Sequence, residues 1–332
     1  MTGPQATPAG PAASSGPDKK SGPNKWIVGG VITLGVIAAI VGLVLLQPSD
    51  EVGLVSPTSS PSSSPEPSPT ATLNPDLLSN RLTVLLLGLD SNEGRRANNK
   101  GVNSDSIMLA SINADQSEVT LIGIPRDMTN VPLPDGTTWE AKLNGIYAAQ
   151  GVDGMRDAIS ELLQVPIDAY VTIDMGDLSD MVNAVGGVTV NPHAPLEDAH
   201  LELHMDPGRQ QINGKKANGY VRTRLDTDYA RAARQQEVLL QIVQKLVDPE
   251  TDVDIRQLLD ALHSFDTDLS LSDMPTFVEL ARRAQDADIT EQVLNPDDGF
   301  ITDEGDFGDG RGYVLIPDIE KMRQFAQQHL QD

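Results

Sequence analysis

Residues 82–89 read Leu-Thr-Val-Leu-Leu-Leu-Gly-Leu, an apolar run that ends at the acidic residue Asp90. A short apolar run of this kind predicts a strand buried in a sheet. Two further strands are predicted at residues 106–112 and 118–124, joined by the turn Asn113-Ala-Asp-Gln-Ser117. These three runs predict that the folded part of the chain begins with a largely buried sheet.

Helical patterns alternate with further strand candidates in the rest of the chain. Helices are predicted at residues 143–150, 153–164, 178–185, 229–247, 254–263, 273–285 and 318–330, and strands at 169–173, 188–190 and 313–316. Strands that alternate with helices are typical of a layered α/β domain. The pattern leaves the order of the strands open.

An uncharged apolar segment, residues 26–46, precedes this domain. A helix of that length rises roughly 31 Å, at about 1.5 Å per residue, which matches the hydrocarbon thickness of a membrane. Lysines precede the segment and acidic residues follow it, so the positive-inside rule predicts a cytoplasmic N-terminus and an extracytoplasmic C-terminal domain. A cleaved signal peptide is the alternative, but the run is longer than a usual signal sequence.

Composition divides the remaining chain into three parts. Residues 1–25 are rich in Pro, Gly, Ser and Ala and are predicted to be disordered. Residues 47–80 are rich in Ser and Pro and predict a stiff extracytoplasmic linker. Residues 81–332 are long enough for one large domain.

The charge balance argues against a nucleic-acid ligand. The 332 residues carry 48 Asp and Glu against 24 Lys and Arg, for a formal net charge of -24, and aromatic residues make up only 4%. Nucleic-acid binders usually carry a basic surface with interleaved aromatic residues. Because the chain contains no cysteine, disulfides and thiolate chemistry are excluded.

Four arginines are nevertheless concentrated between Tyr220 and Gln236. Arg222 and Arg224 are two residues apart, so an extended segment would point both to one face. Arg231 and Arg234 are three apart, so a helix would place both on one face, with Asp228 as its N-cap. Guanidinium groups beside a helix N-terminus bind phosphate or pyrophosphate, whereas the alternative is a solvated basic face with surface salt bridges.

Acidic and basic residues also stand at the predicted strand ends. Asp90 follows the first strand and Asp105 precedes the second, and two such carboxylates could hold Mg²⁺ together with substrate phosphates. Arg126 follows the third strand and Lys142 opens a helix, although each of these residues could equally be an ordinary loop residue.

Two other acidic or histidine-containing segments are weaker metal candidates. His200 and His204 are four apart, as two ligands on one helical face would be, but prolines flank the segment. The acidic residues of 303–309 depart from the EF-hand pattern and favour a solvated loop.

In chain order, these motifs resemble those of the LytR-CpsA-Psr family of extracytoplasmic cell-envelope enzymes. The matching segments are Leu85–Asp90, Ser104–Leu109, Ile124–Asp127, Lys142–Tyr147, Val165–Tyr170, Val185–Val188, the region of Gly208 and Asn213-Gly214, Tyr220–Arg224 and Asp228–Gln236. No segment is decisive alone, but the ordered set is specific. The part after residue 247 resembles the variable C-terminal part of the family's domain.

The resemblance implies a three-layer α/β/α sandwich around a mainly buried central sheet. It also implies a phosphotransferase that moves a glycopolymer from a polyprenyl-pyrophosphate carrier to a peptidoglycan hydroxyl through a phosphodiester link. Its partners would be the carrier-linked glycopolymer, peptidoglycan and the lipid membrane.

Site residues follow from the resemblance by matching position. Asp90 and Asp105 would bind Mg²⁺ on the pyrophosphate. The catalytic set would be Arg126, Arg222, Arg224 and Asp105, and the pyrophosphate would be bound by Arg126, Lys142, Arg222, Arg224, Arg231, Arg234 and Gln235.

One position departs from the family's pattern. Asn103 stands where the family usually has an arginine two residues before the second aspartate. Arg95, Arg96 or Lys100 could supply the missing contact. A binding module that captures polyprenyl-phosphate lipids or wall glycan without catalysis is therefore the alternative function. Transcriptional attenuation is disfavoured, because the folded domain is predicted to lie outside the cytoplasm.

Overall fold

The computed structural model of the protein describes residues 73–89, 102–174, 177–248, 250–262 and 265–331. Its strands are β1 (Leu82–Leu89), β2 (Ser104–Ile112), β3 (Glu118–Gly123), β4 (Val131–Pro132), β5 (Thr138–Trp139), β6 (Ala169–Asp174), β7 (Val188–Val190), β8 (Leu196–Asp198), β9 (Leu203–Met205), β10 (Gln210–Ile212), β11 (Asp266–Thr267), β12 (Asp288–Val293), β13 (Ile301–Asp306) and β14 (Tyr313–Pro317). Its α-helices are α1 (Pro75–Ser79), α2 (Gly145–Leu163), α3 (Asp177–Ala184), α4 (Gly214–Arg222), α5 (Asp228–Val247), α6 (Ile255–Leu262), α7 (Met274–Arg283) and α8 (Ile319–His329). Short 3₁₀ turns at Leu271–Asp273 and Ala284–Asp286 flank α7.

A mixed six-stranded sheet forms the centre of the fold, in the order β11-β6-β1-β2-β3-β12. β1 pairs in parallel with β6, and β3 pairs in parallel with β12, whereas β2 runs antiparallel to both of its neighbours. The mixed α/β fold predicted from the sequence is therefore confirmed. The antiparallel direction of β2 brings its first residues to the edge of the sheet where β1 and β3 end.

Helices cover both faces of this sheet. Successive side chains of a strand point to opposite faces, so Val84 of β1 faces one core and Leu85 faces the other. Helices α3, α4, α5, α6 and α7 contribute side chains to the first core, and α2 and α8 contribute to the second. Every residue of β1 is buried, which explains why its sequence is apolar except for Thr83, whose hydroxyl is hydrogen-bonded to that of Ser111.

Most predicted elements are present, with small differences at their ends. β2 begins at Ser104, two residues before the predicted start. The two helices predicted on either side of residue 151 are the two parts of α2, separated by the non-helical backbone of Gly151 (φ 73°). The prediction that Asp228 caps α5 is wrong: the N-cap is Thr227, whose side chain accepts from the backbone N–H of Ala230.

The packed domain starts before the boundary predicted at residue 81. Helix α1 begins after Asn74, whose backbone N–H donates to Oγ1 of Thr276 over 2.8 Å. Leu77 and Leu78 pack against the first core. These residues, which composition assigned to the linker, are therefore held by apolar contacts and a long-range hydrogen bond.

The predicted membrane segment 26–46 lies outside the described residues. In the part of the chain that the structure describes, no helix combines the length and the apolar character that crossing a membrane requires.

Candidate functional site

The candidate site lies at the edge of the sheet where β2 begins. Leu89, the last residue of β1, pairs with Ser104, and Met108 of β2 pairs with Gly123, the last residue of β3. Asp105 therefore projects beside the loop that follows β3. In that loop, Nη1 of Arg126 lies 2.5 Å from Oδ1 of Asp105.

Three carboxylates surround the Arg126 guanidinium. Besides its contact with Asp105, its Nε lies 3.9 Å from Oδ1 of Asp127 and 3.6 Å from Oδ2 of Asp228. Burial alone would lower the pKa of Arg126, but the three negative charges outweigh burial and raise it. Arg126 is therefore a permanently charged and tightly confined cation.

Backbone contacts hold the loop around Arg126 in place. The Arg126 carbonyl accepts from the N–H of Asn144, and the N–H of Leu143 donates to the carbonyl of Met128 over 2.7 Å. Nζ of Lys142 lies 3.0 Å from Oδ1 of Asp127. The loop after β3 and the start of α2 thus form one unit that places Arg126 and Lys142 on two sides of Asp127.

Arg222 and Arg224 reach the site from the end of α4. The extended segment predicted for this pair is wrong, because α4 continues through Arg222 before the chain turns at Thr223. Oγ1 of the buried Thr223 donates to Oδ2 of Asp198 over 2.8 Å and fixes this turn. Nη2 of Arg224 lies 3.2 Å from Oδ2 of Asp105, although the Arg224 side chain remains 60% exposed.

Arg231 and Arg234 follow α5 but differ in their surroundings. Nη2 of Arg231 lies 2.7 Å from Oδ1 of Asp228, and its side chain is only 6% exposed. Arg234 donates to the backbone carbonyls of Tyr220 and Thr223 and to the carboxylate of Asp226. The structure therefore brings Arg231 to the site and turns Arg234 toward the backbone of the preceding loop.

A cavity of about 280 Å³ joins the elements of the site. We call it the arginine cavity; it is lined by Asp105, Asp198, His200, Leu201, Val221, Arg222, Arg224, Arg231 and Gln235. Five of these residues are in the predicted site set, and Gln235 is held by donating to the Val221 carbonyl over 3.2 Å. Arg126 adjoins the cavity through its contact with Asp105, and Lys142 is connected to Arg126 through Asp127.

Sequence reasoning missed Asp198, His200 and Leu201 as cavity residues. The His200 and His204 spacing suggested a helix, but His204 lies in strand β9, where it contacts Glu197 instead of His200. The only local signal was the histidine itself. The contact that brings this hairpin to the cavity, from Thr223 to Asp198, joins segments 25 residues apart in sequence and has no sequence pattern.

Three buried polar atoms at the site have no hydrogen-bond partner among the described residues: Oγ of Ser104, Nε of Arg126 and Oδ2 of Asp228. Leaving such an atom unsatisfied costs about 1–3 kcal/mol. Nε of Arg126 and Oδ2 of Asp228 meet only at an ion-pair distance of 3.6 Å. Since buried polar atoms are nearly always hydrogen-bonded in folded proteins, this group of atoms indicates a position for polar atoms of a ligand.

Two adjacent carboxylates have opposite pKa shifts. Burial, reinforced by the neighbouring Asp127, raises the pKa of Asp228. Burial acts in the same direction on Asp127, but its contacts with Asp228, Arg126 and Lys142 outweigh it and lower the pKa of Asp127. Asp228 is therefore the more basic member of the pair.

Asp105 is the described member of the predicted magnesium pair, because Asp90 lies outside the described residues. Both oxygens of Asp105 contact arginines. Within the described ranges, no three or more His, Asp or Glu side chains gather as a metal site would require.

Comparison with known proteins gives consistent matches. The model of the LytR_cpsA_psr family matches residues 56–329. The chain is 34% identical over 254 residues to the polyisoprenyl-teichoic acid–peptidoglycan teichoic acid transferase TagU of Enterococcus faecalis, covering 75% of this chain and 78% of that protein. It is 32% identical over 261 residues to biofilm regulatory protein A of Streptococcus mutans, covering 73% of this chain but only 61% of that longer protein.

The fold also matches solved structures. The crystal structure of TagV from B. subtilis superposes with a TM-score of 0.62 at 23% identity, over 76% of this chain and 98% of that chain. At this identity the likeness establishes the α/β fold and no more.

Proposed function

Because the chain belongs to the LytR_cpsA_psr family, we propose that it transfers a glycopolymer from a polyprenyl-pyrophosphate carrier to peptidoglycan. The relative from Enterococcus faecalis is named as a transferase of this kind. The proposal rests on one observation above the others. Nε of Arg126 and Oδ2 of Asp228 are buried, lie 3.6 Å apart and make no hydrogen bond among the described residues, and they adjoin a cavity that Arg222, Arg224 and Arg231 line.

Charge favours a pyrophosphate in the arginine cavity. The whole chain carries a formal charge of -24, so an anion is repelled by most of its surface. The cavity is an exception because three guanidinium groups line it, and guanidinium forks match the geometry of phosphate oxygens. Arg224 is an accessible candidate for direct contact, since its side chain is largely exposed and can exchange Asp105 for a phosphate oxygen.

The reaction we propose is an in-line displacement at phosphorus. A peptidoglycan hydroxyl oxygen forms a bond to the phosphorus that carries the glycopolymer, and the bond from that same phosphorus to the bridging oxygen breaks. Polyprenyl phosphate leaves with that electron pair, and the hydroxyl proton passes to a carboxylate. Arg126 and the cavity arginines stabilise the negative charge that develops on the oxygens of the transferred phosphate and of the leaving group.

Asp228 is a better proton acceptor than Asp105 in this scheme. Both carboxylates contact arginines, but the contacts of Oδ2 differ. Oδ2 of Asp105 lies 3.2 Å from Arg224, whereas the buried Oδ2 of Asp228 lies 3.6 Å from Nε of Arg126 and makes no hydrogen bond among the described residues. The raised pKa of Asp228 makes this carboxylate a stronger base than an ordinary aspartate.

Mg²⁺ fits the donor chemistry at Asp105. A carboxylate that lines an anion cavity, supplemented by substrate phosphates, is a usual magnesium environment. We propose Asp105 as one ligand and Asp90 as the second. When bound, Mg²⁺ would neutralise charge on the pyrophosphate. Arg126 and Arg224, which contact Asp105, would then orient its carboxylate or move to the phosphates.

We further propose that residues 26–46 anchor the protein in the membrane, with the folded domain on the extracytoplasmic side. The apolar tail of the carrier requires the site to work close to a bilayer. The Ser/Pro-rich linker would set how far the site reaches from the membrane into the wall.

The test is a transfer assay with the full-length protein in detergent micelles. The protein is incubated with a short polyprenyl-pyrophosphate oligosaccharide and peptidoglycan fragments, with Mg²⁺ or with EDTA. Mass spectrometry then measures the phosphodiester-linked adduct and the released polyprenyl phosphate. We expect both products in equal amounts and only with Mg²⁺.

A second outcome would support the alternative function. Tight binding of the donor without product, while an active family member works in the same assay, would indicate a non-catalytic binding module. Asn103 is the observation that motivates this alternative, so Asn103→Arg would then be expected to restore transfer.

A further inference from the structure

The hairpin formed by β13 and β14 lies next to the candidate site. Met128 forms a parallel bridge with Leu315 of β14, and the N–H of Leu315 donates to the carbonyl of Asp127 over 3.1 Å. The N–H of Thr129 donates back to the Leu315 carbonyl. Strand β14 therefore lies directly beside the loop that carries Arg126 and pairs with it.

A cluster of aromatic and acidic side chains connects this hairpin to α5. Tyr229 follows Asp228 directly in the chain. Its hydroxyl donates to Oε2 of Glu304 over 2.8 Å. Partial burial, and then contact with the same Glu304 carboxylate, raises the pKa of Tyr313. Tyr313 is nevertheless 52% exposed, and Phe307 near the tip of the hairpin is 47% exposed. We call Tyr229, Glu304, Phe307 and Tyr313 the hairpin patch.

The hairpin is fixed to the domain, so the patch is preorganised. Nη1 of Arg311 donates to Oγ1 of Thr129 over 3.0 Å and to the carbonyl of Glu140 over 3.1 Å. Nη2 of the same residue lies 2.6 Å from Oδ2 of Asp309. Exposed aromatic rings on a held hairpin can contact a ligand at a lower entropic cost than rings on a loose loop.

We propose that the hairpin patch binds the acceptor substrate, a neutral N-acetylhexosamine chain of peptidoglycan. This inference rests on the proposed transfer function, which requires a second substrate whose hydroxyl reaches Arg126 and Asp228. Exposed aromatic rings offer flat faces to the C–H faces of sugar rings, and the Glu304 carboxylate accepts from sugar hydroxyls.

Differences in surface charge would direct the donor and the acceptor to different sides of the site. Asp303, Glu304, Asp306 and Asp309 make the hairpin acidic, so it disfavours the pyrophosphate donor that the arginine cavity attracts. An uncharged glycan is not repelled by these carboxylates. The acceptor hydroxyl would then approach the confined Arg126 and Asp228 from the hairpin side, while the donor enters from the cavity side.

The inference is tested by separating the KM for acceptor from the KM for donor, with the full-length protein in detergent micelles. Tyr313→Ala and Phe307→Ala are expected to raise the acceptor KM about five- to tenfold each and to leave the donor KM unchanged. Tyr313→Phe keeps the ring and should stay close to the wild type. Leu73→Ala, which removes an exposed apolar side chain elsewhere, is the matched control.

Direct binding distinguishes failure of this inference from failure of the proposed function. Saturation-transfer NMR with an N-acetylhexosamine tetrasaccharide should show binding to the wild type that Tyr313→Ala weakens, even if no transfer occurs. An unchanged acceptor KM in both alanine variants, an equal rise in the donor KM, or no tetrasaccharide binding by the wild type would overturn the inference.

Discussion

Helix α5 lies between two cavities of similar size, which differ in how their arginine side chains are paired. The arginine cavity has a volume of about 280 Å³, and Arg222, Arg224 and Arg231 line it. The second cavity has a volume of about 310 Å³, and Tyr220, Asp226, Arg234 and Glu237 are among its lining residues. We call this second space the Arg234 cavity.

The difference lies in how each arginine is neutralised. Arg234 donates to two backbone carbonyls and to Asp226, and its guanidinium lies 5.6 Å from the centre of the Tyr220 ring. These contacts occupy the donors of Arg234 within its own part of the fold. Arg224 and Arg231 instead contact Asp105 and Asp228, carboxylates that a ligand phosphate can replace. Helical spacing places arginines near each other, but their partners decide which one can bind an anion.

The largest expected effect comes from removing charge in the arginine cavity. Arg222→Ala and Arg224→Ala should each lower the transfer rate about 100-fold, because each would remove a guanidinium that stabilises the developing phosphate charge. The transfer assay described above measures this rate. The thermal midpoint should change little, since both side chains are exposed.

Arg282→Ala, an exposed arginine of α7 paired with Glu279, is the matched control for lost positive charge. If both cavity variants retain the wild-type rate, the roles assigned to Arg222 and Arg224 are rejected.

In the Arg234 cavity, replacing the arginine should lower the stability of the domain. Arg234→Ala should lower the free energy of unfolding by about 2–3 kcal/mol, because it leaves two carbonyls and the Asp226 carboxylate without their donor. Denaturant titration followed by near-UV circular dichroism measures this change. Any fall in transfer rate should follow the fraction of protein that is folded. A fully stable variant that has lost donor binding would instead place Arg234 among the phosphate ligands, as the family resemblance implies.

A smaller effect is expected at the start of the helix that lies between the two cavities. Thr227→Ala removes the side-chain acceptor for the N–H of Ala230 and should destabilise the domain by about 1 kcal/mol. The same denaturant titration measures it. Thr227→Ser keeps the acceptor and serves as the control, and an equal loss in both variants would exclude capping as the cause.

The smallest effect on the transfer rate at neutral pH is expected from replacing Asp127. If Asp228 accepts the proton, the transfer rate should fall as the pH drops through its raised pKa. Asp127→Asn removes the negative neighbour that raises this pKa, so the acid limb of the pH–rate profile should move to lower pH. Asp180→Asn, an exposed acidic residue on α3, controls for lost charge alone. A limb that moves to higher pH would contradict the assignment.

Local patterns predicted much of the fold. Three features could be recognised in the sequence because each reflects interactions between near neighbours in the chain. They are the apolar run of β1, the break in α2 at Gly151 and the long helical pattern of α5. Helix α4 was not predicted, and the turn that ends it depends on a residue that is distant in the chain. Thr223 turns the chain through a contact with Asp198, and no local pattern encodes a partner so distant in sequence.

The amino-acid sequence was enough to show that this acidic chain concentrates arginines between Tyr220 and Gln236 and that its α/β domain contains a buried strand at residues 82–89. Both properties are carried by composition and short-range spacing. Only the tertiary structure decided that Arg231 faces the arginine cavity while Arg234 is held by Asp226, and that the β13–β14 hairpin lies beside Arg126. Side-chain partners and strand neighbours come from packing between distant segments, which spacing along the chain does not specify.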